Sequence, residues 1–217
     1  MRPVTAFVGP LGAASATNIR TASTATAGAM VLNGSLVTSG VVAFDSPRQI
    51  LFTTAASEAG HTVLVTGVDR AGNTQSETVT LPSSASTVAT ALTYGSGPLS
   101  AVISANSNNN ISIGTNGVAS SAWVRLDDYA PGQTGIQVNV TGTVNATVQS
   151  TMDDPNDPTN PVTAGSMTWV NSADTNAVGL TSSIQTNYQF APKYVRLLLN
   201  SGSGSAAMTV IQSSVTP

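Results

Sequence analysis

The chain has no cysteine, a single lysine (Lys193), a single histidine (His61) and only two tryptophans among its 217 residues. Zero cysteines exclude a disulfide framework, a thiolate metal site and cysteine catalysis. Charged residues make up 8% of the chain, about a third of the usual globular share. Six arginines and one lysine give no basic stripe to neutralise phosphates, so no nucleic-acid partner is expected. The dearth of Glu, Lys and Arg also excludes a coiled coil or helical bundle. No apolar run approaches the roughly 18–20 residues of a membrane-spanning helix, so no membrane partner is expected. The opening residues Met1 to Val8 lack a continuous hydrophobic core of the signal-peptide kind.

What is present is Ser (27), Thr (30), Asn (16), Gly (19) and Pro (11). Hydrophobic residues still reach 41%, which opposes disorder of the charged kind. The length suffices for a core without disulfide or metal staples. Three regions follow from the pattern. Residues 1–30 read as an extended N-terminal arm, because Ala13 to Met30 is almost all Ala, Thr, Ser and Gly. Such a segment has little apolar area with which to offset its ordering entropy. Residues 31–116 read as a β-meander and hairpin region. Arg48–Thr54, His61–Val68 and Thr74–Leu81 are β-rich runs, and Asp69-Arg70-Ala71-Gly72-Asn73 is a turn signal. Residues 117–217 read as a β-sandwich unit, with 31–217 also readable as one domain. There Ile136, Val138 and Val140 alternate onto one face. Gly142 turns that run into Val144–Ser150. Tyr194–Leu199 and Ala207–Gln212 form a last hairpin around a Gly-Ser connection. Short strands with turns every 8–12 residues predict an all-β, antiparallel, sandwich or jelly-roll-like fold.

Catalytic constellations are missing from the pattern. His61 alone would have to serve any Ser-His-Asp triad, no Gly-x-Ser-x-Gly elbow occurs, and no phosphate loop is present. The chain is therefore expected to be no enzyme and to need no cofactor. One acidic loop, Asp153-Asp154-Pro155-Asn156-Asp157-Pro158, offers oxygen ligands of the kind Ca²⁺ takes. Asp153, Asp154 and Asp157 are its candidate ligands, against the plainer reading of a proline-stiffened turn capped by Asp. Asp127-Asp128 beside Tyr129 is a weaker pair of the same kind. Trp123 and Trp169 lie in strand-like runs and read first as packing residues, second as a carbohydrate platform. A surface of Ser, Thr, Asn, Ala and Gly suits permanent contact, since stable interfaces are depleted in Lys, Glu and Asp. A subunit of a symmetric assembly is expected.

Two stretches carry a resemblance. The first runs Pro47 to Thr54, then His61-Thr62-Val63-Leu64-Val65-Thr66-Gly67-Val68-Asp69-Arg70-Ala71-Gly72-Asn73 and Ser76-Glu77-Thr78-Val79. The second runs Val140 to Gln149, then Asp153-Asp154-Pro155, with Ala191 to Leu197 and the Gly-Ser connection. Together they resemble virion structural proteins of tailed bacteriophages, over roughly residues 41–82 and 117–213. The shared features are turn glycines and strand alternation, so no active residue carries over. The resemblance implies a non-enzymatic capsid decoration (cement) protein on the virion surface, bound to the major capsid protein and homotrimeric. Residues 1–30 would be its strap, with Arg2, Phe7, Arg20 and Met30 as inter-subunit contacts. The other reading is a tail or fibre component that binds a receptor or glycan through Trp123 or Trp169 and a calcium-holding loop.

Overall fold

The structure, a computed structural model, describes residues 3–127 and 133–212. The strands of the N-terminal half are β1 (Val4–Val8), β2 (Ser15–Ser23), β3 (Gly28–Ala29), β4 (Val37–Thr38), β5 (Val41–Val42), β6 (Arg48–Thr54), β7 (Thr62–Val68), β8 (Thr74–Thr80), β9 (Ser86–Ala89), β10 (Gly97–Pro98) and β11 (Ser100–Ile103). The remainder are β12 (Ile111–Ser120), β13 (Val124–Arg125), β14 (Thr134–Thr141), β15 (Val144–Thr151), β16 (Val170–Asn171), β17 (Ile184–Tyr188), β18 (Tyr194–Gly202) and β19 (Ser205–Gln212). Two 3₁₀ turns, Ala164–Ser166 and Thr175–Ala177, complete the elements. The protein is all-β, built of several antiparallel sheets in a generally sandwich-like manner.

The chain divides into two compact units, one of residues 1–11 with 118–217 and one of residues 12–117. In the first, β1, β19, β14 and β17 form one antiparallel sheet. β16, β15 and β18 form the other, joined by β13 and by Ala119 and Ser120 of β12. Alternation aims Val8, Ile136, Val138, Met208 and Val210 from one sheet at Val148, Val195, Leu197 and Leu199 from the other. In the second unit, β3, β11, β7 and β8 form a sheet, β10, β5 and β4 a smaller one, β6 pairs with β9, and β2 pairs with β12. Its core holds Ile19, Ile50, Phe52, Val63, Val65, Tyr94, Ile103, Ile111 and Ile113.

Three expectations change. The described part of residues 1–30 is no free-standing arm: β1 pairs with β19, β2 with β12 and β3 with β11. Val8 and Ile19 are wholly buried, and Arg20 and Met30 nearly so, which anchors a segment otherwise rich in small residues. The meander of β6, β7 and β8 exists only as the β7–β8 hairpin, since β7 takes β11 as its other partner and β6 takes β9. The β14–β15 and β18–β19 connections are not hairpins. Each steps from one sheet of its unit to the other, and the two steps run side by side, Thr141 opposite Ser205 and Val144 opposite Gly202. Glycine makes this crease possible. Gly142 (φ +78°) and Gly202 (φ +123°) occupy the left-handed region. A Cβ at Gly202 or Gly204 would run into the carbonyl oxygen of Thr143 or Thr141.

Candidate interaction faces

The acidic residues are committed to the chain's own loops. Asp45, Glu58, Asp69, Glu77, Asp153, Asp154, Asp157 and Asp174 each accept a hydrogen bond from at least one backbone N–H. Glu58 is the most enclosed. Its fully buried carboxylate accepts from Asn108 N and Asn109 N and meets His61 Nδ1 at 2.7 Å. Burial alone pushes the Glu58 carboxyl up, but those two amides and the His61 ring outweigh it and hold it below the usual range. Glu77 accepts from Ala91 N, Leu92 N and Tyr94 Oη, and burial together with this neighbour raises the Tyr94 phenol.

The buried arginines serve the same end. Arg20 donates to the carbonyls of Ser23, Thr24 and Ile111. Arg48 donates to the carbonyls of Gly12 and Asn116 and lies 3.5 Å from Asp45. It also forms one wall of a cleft of about 560 Å³ lined by Ser15, Asn18, Leu36 and Phe44.

The sequence-derived site residues therefore scatter. Arg2 lies outside the described residues, as do Asp128 and Tyr129. Arg20 and Met30 are buried within their own unit, where the strap reading needed them at a surface. Phe7 is 61% exposed. The three loop aspartates do not converge. Asp153 accepts from Thr168 N, Asp157 from Thr159 N and Asn160 N, and Asp154 from Tyr194 Oη at 3.0 Å while it pairs with Arg125 at 3.3 Å. Among the described residues no cluster of three His, Asp or Glu side chains is placed to hold a metal ion. Trp123 and Trp169 do meet, at 5.3 Å between ring centroids, each half-buried.

With the acidic groups spent on the chain's own loops, two outward sheet faces are left neutral. On the β1–β19–β14–β17 sheet, inward Ala6, Met208 and Ile136 leave Thr5, Phe7, Ala207, Thr209, Ile211, Gly135, Gln137 and Gln185 facing out. Register lines up Thr5, Thr209, Gln137 and Gln185 in one row. Hydrogen bonds run along it, Thr5 Oγ1 to Thr209 Oγ1 at 3.0 Å and Gln185 Nε2 to Gln137 Oε1 at 3.2 Å. Gly135 leaves a depression of about 290 Å³ between Ile211, Gln137 and Gln185. On the β3–β11–β7–β8 sheet the corresponding row is Ala29, Val102, Leu64 and Thr78, flanked by Ser100, Thr66 and Ser76. Neither set contains a charged side chain. Phe7, Ile211, Leu64 and Val102 remain exposed at least in part. In the alternation of residues 135–141 the apolar half marks the core, and the signal for the face lies in the uncharged intervening positions.

No protein-family model matches the chain, and no curated protein matches it at a significant level.

Proposed function

We propose that this protein is a non-enzymatic structural subunit of a virus particle, a capsid decoration (cement) protein with jelly-roll-like sandwich character that bridges major capsid subunits on the virion surface as a homotrimer. The observation that carries this reading is the pair of neutral sheet faces, each with exposed apolar side chains, Phe7 and Ile211 on one and Leu64 and Val102 on the other. A free soluble protein ordinarily spreads charge over such faces to resist association. Stable interfaces shed charge at their centres, because a desolvated, unpaired charge is costly. The phage-like turn and strand pattern of residues 47–79 and 140–155 supports the virion assignment.

The test uses the full chain. Because residues 4–8 and 15–29 supply strands to both units, deleting them would remove structure as well as contact, so point changes are the proper probe. Purified particles of the encoding virus are quantified by mass spectrometry against the major shell protein. A copy number comparable to the shell protein is expected, and Phe7→Lys with Leu64→Lys should strip the protein from particles while leaving it folded. A small multiple of three or six copies would favour the tail or fibre reading, and absence from particles would overturn the virion assignment altogether.

A further inference from the structure

The two tryptophans of the chain belong to one cluster on the outer face of the β16–β15–β18 sheet. Arg196 of β18 lies in register with Gln149 of β15, and Gln149 with Asn171 of β16. The guanidinium carbon of Arg196 sits 4.1 Å from the Trp169 ring centroid, a cation–π stack. Trp123 tilts against Trp169 and stands 5.9 Å from Tyr194.

The hydrogen-bonding capacity of this cluster is spent unevenly. Arg196 Nε donates to Gln149 Oε1 at 2.9 Å, and Gln149 Nε2 donates to Asn171 Oδ1 at 2.9 Å. Each of these two amide oxygens thus already accepts one hydrogen bond. The terminal nitrogens of Arg196, the indole N–H groups of Trp123 and Trp169 and the amide nitrogen of Asn171 have no partner among the described residues, and none is sealed from solvent. The groups of the cluster left wholly without a partner are therefore donors. Among the described residues Arg196 also has no acidic partner. The nearby Asp154 is already neutralised by Arg125 and bonded to Tyr194. Burial lowers the Arg196 guanidinium to about 9, still charged at neutral pH.

We propose that Trp123, Trp169, Arg196 and Asn171 form a binding site for an acidic saccharide, a sugar bearing one carboxylate. The carboxylate takes the two free guanidinium nitrogens in bidentate fashion, the apolar face of the sugar ring lies on exposed indole, and hydroxyls accept from the indole and amide N–H groups. One cation without an acidic partner among the described residues matches one negative charge. Within its unit the site lies on the other sheet from Phe7 and Ile211, and it does not rest on the assembly reading.

Because both tryptophans of the chain are in the cluster, intrinsic fluorescence reports on it directly. The full chain is titrated with sialyllactose, galacturonate, lactose and sodium sulfate, each to about 10 mM, well above a millimolar dissociation constant. Saturable change with an acidic saccharide is expected, with lactose and sulfate each at least about tenfold weaker, as befits loss of a charge-assisted contact or of ring stacking. Arg196→Gln should weaken the acidic saccharide by about tenfold or more. Asn171→Asp, an exposed change that leaves the core untouched, should weaken it through like-charge repulsion and serves if Arg196→Gln folds poorly. No saturable response to either acidic saccharide overturns the proposal. So does lactose or sulfate binding equally well, or affinity unmoved in a folded Arg196→Gln or Asn171→Asp variant.

Discussion

In the unit of residues 12–117, loops are pinned by charge: buried Glu58 gathers the backbone of Asn108 and Asn109, half-buried Glu77 that of Ala91 and Leu92, and buried Arg20 ties three carbonyls. In the unit of residues 1–11 and 118–217, the tightest feature is a crease of glycines packed on backbone, Gly142 beside Gly204 and Gly202 against Thr143. Both units draw on the same charge-poor alphabet. The first adds a fully buried carboxylate, Glu58, to its own glycine contacts at Gly34 and Gly114, so part of its order depends on protonation. In the second, where loop aspartates also cap N–H groups, the step between sheets at Gly202 and Gly204 depends on steric fit.

The comparison breaks most severely where the glycines are filled. Gly204→Val should destabilise its unit by about 3 kcal/mol or more, since a Cβ there meets the Thr141 carbonyl. Tryptophan fluorescence, confined to that unit, should show the loss, while amide exchange at residues 62–80 stays slow. The next effect is electrostatic. Glu58→Ala should cost the other unit about 2–4 kcal/mol, because two backbone N–H groups and His61 lose a buried partner. Exchange should accelerate at residues 104–110 and leave the tryptophan signal unchanged.

Acid titration sharpens the contrast more gently. The Glu58 carboxyl lies lower in the folded chain than in the unfolded one. Its contribution is therefore complete above the unfolded value of about 4.3 and disappears as pH falls through the lower folded value. Below about pH 4, exchange at residues 55–61 and 104–110 should quicken, and Glu58→Gln should abolish that pH dependence. The smallest effect on stability belongs to the neutral faces. Phe7→Lys and Leu64→Lys should each move the melting midpoint by no more than about 0.5 kcal/mol equivalent, surface changes without a buried partner. Their consequence should appear only in particle binding.

The sequence showed strand content and turn chemistry well, because alternation at residues 135–141 and the Asp69–Asn73 turn are local signals. It misjudged which strands pair. Gly142 and the Gly202–Gly204 stretch look like hairpin turns in a linear reading, yet the choice between a hairpin and a step between sheets is made by contacts about sixty residues away, as Val144 opposite Gly202 shows. The same limit hid Arg20. Set in a run of Ala, Ser and Thr it reads as exposed, and only the strand β12 alongside supplies the Ile111 carbonyl that encloses it. Trp169 over Arg196 is likewise a product of the fold, with no spacing rule to announce it.

The pairing of β1 with β19 has a consequence for the order of events during synthesis. β1 leaves the ribosome before residues 12–117, and β19 follows after all of them. The intervening unit can complete its own core while β1 is still a bare strand with an unpaired edge. Only when β19 emerges can Val4 settle opposite Val210 and Phe7 opposite Ala207. Among the described strands, the first in sequence is thus paired only once the last has emerged. A nascent chain stalled before Ser205 should present β1 to any extended segment able to take its place.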